Sequence, residues 1–291
     1  MANLKEIRSR ISSTISTQQI TKAMKLVSAT KLRRATDGIV RMRPYATKLK
    51  EVMANLEDSV EDEALSRYFS GSEAEKVLLV VISSDRGLCG AFNTNVIRRT
   101  RQLLEEKYQA QYRAGNVTML PIGKKAYEFF RRHKLQFEMN YIGLFGNLNS
   151  DSVFEAGDWI LNAYMNGSYD RVELVYNQFK NAATQILTNE VFLPIEMNQS
   201  SNKKKKEYIF EPGKVAILQE LIPRSLKTQL YRAILDSHAS EHGARMVAMD
   251  KATDNAGELL RSLRLAYNQA RQAAITREIS EIVGGAAALQ G

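Results

Sequence analysis

Apolar residues recur at three- and four-residue steps along both ends of the chain, the spacing of a helix with one covered face. At the N-terminus the series runs Leu4, Ile7, Ile11 and Ile15. After a five-residue step it resumes with Ile20, Met24, Val27, Ala35, Ile39 and Met42, and beyond Pro44 it continues through Ala46, Leu49, Met53 and Leu56. At the C-terminus Leu226, Leu230 and Ile234 open a second series, which passes through Ala256, Leu259, Leu263, Tyr267 and Ala270 to Ile275, Ile279 and Ile282. Residues 224–283 contain no proline and only two glycines, Gly243 and Gly257, so as one helix they would reach about 90 Å at roughly 1.5 Å per residue. The pattern predicts two long helices, residues 1–58 and 213–291. Many of their seam positions are Ala, Ser or Thr, which makes the stripe thin and lets two backbones approach closely. Pairing the two ends as an antiparallel coiled coil is the simplest way to cover both stripes within one chain.

Between the two ends, residues 76–212, the period changes. Residues 77–82 (VLLVVI) read as a fully buried strand, 93–114 as a helix, 117–122 as a strand, 124–134 as a helix, 152–166 as a helix and 171–178 as a strand, with an edge strand or hairpin in 183–196. Strand and helix alternate, and the right-handed crossover rule then favours an α/β domain with a Rossmann-like, partly parallel sheet. Residues 59–75 join it to the first helix. They belong to an acidic stretch, 51–75, with eight Asp or Glu against Arg67 alone, and they include the turn signal Ser70-Gly71-Ser72. No internal repeat is visible.

Composition adds constraints. The 291 residues, 44% hydrophobic and 25% charged, suit a folded soluble protein of one or two domains and exclude disorder throughout. A net charge of +9 points to acidic partners. The excess is local, since residues 1–50 carry twelve Lys or Arg against Glu6 and Asp37. Cys89 is the sole cysteine, so no internal disulfide is expected, and no apolar run is long enough to be a signal peptide or membrane span. The sequons at Asn116, Asn166 and Asn198 therefore carry no meaning without a secretory route.

Several motifs invite chemistry and fail on spacing. The loop 83–90 (SSDRGLCG) follows the first strand, where such folds bind nucleotides, yet it lacks the Lys-Ser/Thr of a P-loop and the three-glycine dinucleotide spacing. Cys89 has Gly90 adjacent rather than glycines two residues to either side, which reads as a packed thiol and not a nucleophile elbow. His238-Ala239-Ser240-Glu241-His242 fits the H-x-x-E-H zinc pattern, but the carboxylates downstream of it (Asp250, Asp254, Glu258, Glu278, Glu281) lie along the same rod and cannot curl back to complete a metal shell. The basic first helix could contact phosphates. Its first 43 residues hold no aromatic, however, and its cations flank an apolar seam, so an acidic protein surface is the expected partner rather than nucleic acid or lipid. The run Lys203–Lys206 reads as a solvated loop. Residues 282–291 (IVGGAAALQG) carry no charge, which suits either a frayed tail or a tail seated in an apolar sleeve. No catalytic residue, cofactor or metal is expected.

Four segments carry a family resemblance: QQITKAMKLVSATKLRRA (18–35), SSDRGLCGAFN (83–93), EHGARMVAMDKATDNAGELL (241–260) and YNQARQAAITREISEIVGGAAAL (267–289). Together they resemble the gamma subunits of F-type ATP synthases. The segment from about 123 to 206 matches in order of elements more than in residues. The resemblance implies a non-catalytic rotor stalk, one copy per complex. Its paired helices would turn inside a ring of alternating alpha and beta subunits, and its foot would meet the epsilon subunit and the membrane c ring. It implies that Lys22, Lys25, Lys31, Arg33 and Arg34, with Met24 beside them, face the acidic lever of the beta subunits, and that Arg271, Gln272 and Thr276 form the catch with beta. It further implies a peripheral place on the cytoplasmic face of a bacterial inner membrane, reached only through the complex. Cys89 alone cannot form the inserted regulatory dithiol of chloroplast-type relatives. With the family's first helix under way from Met1-Ala2-Asn3, no transit peptide is expected.

Overall fold

The computed structural model describes residues 4–56, 63–69, 74–195 and 213–290. The turn at 70–72, the lysine run at 203–206 and residues 59–62 of the acidic linker lie outside them. Helix α1 is Leu4–Leu56 and helix α7 is Lys214–Gln290, 53 and 77 residues long. Both run through a proline, Pro44 in α1 and Pro223 in α7. A proline inside a helix removes one backbone bond and costs about 3 kcal/mol. At Pro223 the cost is offset by packing, since Ile222 and Leu226 on either side are buried.

By contacts the chain forms two compact units, and the division falls inside both long helices. One unit comprises residues 1–28 and 246–291, the other residues 29–245. The second contains a four-stranded sheet in the order β2-β1-β3-β4, where β1 is Val77–Ile82, β2 Val117–Ile122, β3 Arg171–Phe179 and β4 Gln185–Leu193. Strand β1 pairs in parallel with both β2 and β3, and β4 adds to β3 antiparallel as an edge. The partly parallel sheet and its antiparallel edge strand are as the pattern implies.

All six β1 side chains are fully buried, and they divide alternately between two cores. Leu78, Val80 and Ile82 join one face with α6 (Ser150–Met165), with α7, and with Leu65 and Tyr68 of the short helix α2 (Glu63–Phe69). Val77, Leu79 and Val81 join the other with α3 (Phe92–Gln102) and α5 (Lys124–Arg132). Helix α2 departs from the linker expected there, because Leu65 and Tyr68, one turn apart, give the acidic segment an apolar face that docks on the core. Helix α6 begins at Ser150, two residues before the expected start, since the Asn149 side chain caps it by accepting from the Ser152 backbone N–H at 2.8 Å.

The helix expected over 93–114 is interrupted. After α3 the chain makes a π-turn, Leu103–Lys107, closed by the Tyr108 N–H donating to the Leu103 carbonyl, and α4 (Gln109–Arg113) follows. The extra residue turns Lys107 and Tyr108 toward the sheet, where both donate to the carboxylate of Glu173 on β3. At the far end of β1 the chain approaches itself closely. Gly123, which precedes α5, has φ 105°, and a Cβ there would lie 2.2 Å from the Ser83 carbonyl oxygen, so only glycine fits.

Candidate functional site

In the first unit α1 and α7 run antiparallel. The Gln18 side-chain amide donates to the Thr253 carbonyl at 3.4 Å, the hydroxyls of Thr21 and Thr253 meet at 2.8 Å, and Lys25 Nζ lies 2.5 Å from Asp250 Oδ1. A Cβ on Gly257 would sit 3.2 Å from Gln18 Nε2, so a side chain there would push the Gln18 amide aside. The buried seam mixes Ile7, Met249, Ala256, Leu260 and Leu263 with Thr21 and Ser28.

The outward faces invert the usual arrangement, because Ile20, Leu26, Val27, Leu259 and Leu265 are exposed. The register fixed by these contacts brings Leu4 level with Arg271. Beyond that point α7 has no described part of α1 beside it, and Ile275, Ile279, Ile282 and Val283 are 48–70% exposed along it.

The structure places the residues singled out in the sequence as follows. Lys22 is exposed and Met24 half-buried, while Lys25 is committed to Asp250. Arg271, Gln272 and Thr276 are exposed where α1 runs out. Lys31, Arg33 and Arg34 belong to the second unit, where all three are exposed. Sequence reasoning missed Asp250 and Thr253 as partners of Lys25 and Thr21, because their spacing one turn apart on α7 means nothing until the level of the two helices is known.

In the second unit the H-x-x-E-H segment does not form a metal shell. Glu241 accepts from Arg245 at 2.6 Å, and Arg245 also donates to the carbonyls of Arg86 and Gly87, pinning the loop after β1 to α7. Arg245 donates to Nδ1 of His242 as well, at 3.4 Å. Arginine can only donate, so the proton of His242 sits on Nε2 and points to Nε2 of His238, 3.1 Å away. Both imidazoles are held neutral. Burial, with the charges of Lys31 and Arg245, pushes His238 down to about 4; burial, His238, Arg245 and Lys31 push His242 down to about 3. Phe145 stacks on His238. Among the described residues no three His, Cys, Asp or Glu side chains gather as metal ligands. Cys89 is buried, its sulfur accepts from Asn93 at 3.2 Å, and burial pushes its thiol up, away from nucleophilic use. Leu88, at φ 63°, stands exposed beside it.

Two buried carboxylate groups complete the second unit. Glu173 accepts from Lys107, Tyr108, Arg171 and Asn189. Burial raises its carboxyl, but the bonds from Lys107, Tyr108 and Asn189 outweigh burial and hold it below the usual range. Asp236 on α7 is pushed up to about 6 by burial, which the charges of Arg232 and Arg43 only partly oppose.

The ATP synthase family model matches residues 3–289. An ATP synthase gamma chain from Cytophaga hutchinsonii is 53% identical over 293 residues, covering 99% of both chains. This chain belongs to the ATP synthase gamma chain family. A gamma chain from Flavobacterium johnsoniae is likewise 53% identical over the whole of both chains. Among solved structures, a chain of the central stalk and c-ring of Tetrahymena thermophila mitochondrial ATP synthase is 26% identical. It covers 80% of this chain and 99% of that one, with a TM-score of 0.58. A chain from the OSCP/F1/c-ring of Euglena gracilis mitochondrial ATP synthase shares the fold at a TM-score of 0.69 and 23% identity, covering 98% of this chain and 94% of that one. No helix among the described residues is long and apolar enough to cross a membrane.

Proposed function

We propose that the chain is the central rotor stalk of an F-type ATP synthase and has no catalytic site of its own. The observation that carries this reading, beside the full-length family match, is the end of α7. There an apolar row is exposed on a helix with no described part of α1 beside it, followed by a tail with no charge. Such an end suits a sleeve that must let it turn, because a fixed charge would bind one wall and resist desolvation.

In this reading residues 1–58 and 213–291 are the rod, 59–75 a connection and 76–212 the body. The rod turns inside a ring of alpha and beta subunits, and the body meets epsilon and the c ring, one copy per complex. One asymmetric shaft in a threefold ring presents a different face to each otherwise identical site. The three sites are thereby held in unlike conformations with unlike nucleotide affinities, and rotation permutes them. Ion flow through the membrane sector drives that rotation. The exposed Arg271, Gln272 and Thr276 form a catch with beta, in charge-assisted bonds that form and break with angle. Lys22, Lys31, Arg33 and Arg34 face the acidic lever of beta beside Met24, and Lys25 shares its charge between that lever and Asp250. The complex holds the chain at the cytoplasmic face of a bacterial inner membrane.

Co-expression with alpha and beta subunits tests the assembly: one copy should purify with each ring, and a chain that stays apart would end the reading. In the assembled complex Arg271→Ala or Gln272→Ala should lower ATPase turnover, by at most about a hundredfold, the upper worth of one charged hydrogen bond. Unchanged turnover in both variants would remove the catch.

A further inference from the structure

The β3–β4 hairpin is fastened to α7 at its base and not at its tip. At the base Glu190 accepts from Tyr176 on β3 and from Gln229 on α7, and Arg232 of α7 lies 3.7 Å from it. Toward the tip the side-chain bonds of Asn181, Gln185 and Thr188 stay within the hairpin, and among the described residues no hydrogen bond joins 180–188 to α7. Ile186 and Leu187 are 45% and 38% exposed there. What meets α7 at the tip is backbone, since a Cβ on Gly243 would lie 3.1 Å from both the Cα and the carbonyl oxygen of Ala182.

Between base and tip this face of α7 holds a buried carboxyl without a partner. At about 100° per residue Arg232, Asp236 and Gly243 fall within about 40° of one another, so Asp236 stands on the face between the level of Glu190 and that of Ala182. It is 6% exposed, and among the described residues it accepts no hydrogen bond and forms no ion pair. Arg232 Nε below it and Ser240 Oγ one turn above it are also buried without partners. The charges that act on it come from Arg232 on α7, Arg43 on α1 and Glu190 on β4, and Tyr176 of β3 faces Glu190 and Arg232. Folded proteins seldom leave such a group dry, and an ionised carboxylate without partners is the costliest of them. The cover over it is the tip half of β4, an edge strand with a neighbour on one side only.

We infer that the tip half of the β3–β4 hairpin is a flap over α7 that closes on a neutral Asp236 and peels back to admit water to the ionised one. Peeling breaks the pairing of Asn177 with Leu187 and of Gln178 with Ile186 and leaves the fastening at Glu190 in place. It hydrates Arg232 Nε and Ser240 Oγ along with the carboxylate. Acid therefore shuts the flap and neutral pH loosens it. The histidine pair lies on another side of α7, where Phe145 stacks on His238, and with values of about 4 and about 3 it stays neutral in the folded chain between pH 5 and pH 7.

Amide hydrogen exchange of the full chain tests this, each rate being divided by that of the unstructured peptide at the same pH. The paired amides of 185–188 should exchange well ahead of those of β1, because the opening is local. With a closed value of about 6 against an ordinary 3.8, their protection should fall about tenfold from pH 5 to pH 7. Asp236→Asn should abolish that dependence and keep the tip at least as protected at pH 7 as the parent is at pH 5. The proposal is overturned if the tip exchanges no faster than β1, if its protection is the same at both pH values, or if Asp236→Asn retains the fall.

Discussion

Glu173 is fully buried on β3 and accepts from four side chains, so its replacement has a definite cost. In Glu173→Gln the shape survives and the charge is lost. One carbonyl oxygen must then serve Lys107, Tyr108 and Arg171, while the new NH2 points at the NH2 of Asn189. Asn189 can relieve the last conflict by turning over, because its Oδ1 is buried without a partner and would accept from the new amide. The side chains of Lys107 and Arg171 are 41% and 25% exposed, so they recover water rather than stay stranded. Breaking a fully buried pair costs about 3–5 kcal/mol; with both reliefs the Gln variant should lose about 2 kcal/mol, or about 4–8 °C of melting temperature. Glu173→Leu, which has neither relief for Tyr108, should lose about 4 kcal/mol. The single tryptophan, Trp159, packs on the core of this unit and reports its melting by fluorescence. The carboxyl is held below its usual value, so its contribution is complete above the unfolded value of about 4.3 and is lost as pH falls through the folded one. The deficit of the Gln variant should therefore be full at pH 7 and shrink below about pH 4. A Gln variant that melts with the parent at pH 7, or a Leu variant that melts above it, would refute the account.

Asp236 is the opposite case. Its carboxyl is pushed up to about 6, so the protonated form favours folding at low pH and that contribution is lost as pH rises through 6. Asp236→Asn should therefore gain up to about 3 kcal/mol in denaturant titration at pH 8 and nothing at pH 4; a loss at pH 8 would show that Arg232 and Arg43 outweigh burial. The histidine pair has folded values of about 4 and about 3, against an ordinary 6.5. The unfolded chain thus takes up protons that the folded one refuses, and stability falls as pH drops from 6.5 toward 4. Combining His238→Leu with His242→Gln should flatten that part of the stability curve, and an unchanged slope would assign it elsewhere.

The strands and the long helices were readable because each is set by local pattern. The run at 77–82 has only one way to bury six apolar side chains in a row, and parallel neighbours on both sides supply it. The π-turn was not readable, since the cause lies on another element: Glu173 is 66 positions from Lys107 in sequence, and nothing within 93–114 demands an extra residue. The same holds for Arg245. In the sequence it is one of many cations on a rod, and only the fold brings the carbonyls of Arg86 and Gly87 to it, beside its bond to Glu241. Lys25 was legible as a cation beside the seam, but its partner could be found only once the direction and level of α7 were known.

The π-turn at Leu103–Lys107 makes chain length a chemical variable at that point. Removing one residue there would restore a regular helix and improve local geometry. It would also swing the amine and the phenol that follow by about 100°, away from the sheet, leaving an anion stranded in the interior. Surface connections elsewhere can gain or lose residues at little cost, whereas at this point the more regular backbone is the less stable protein.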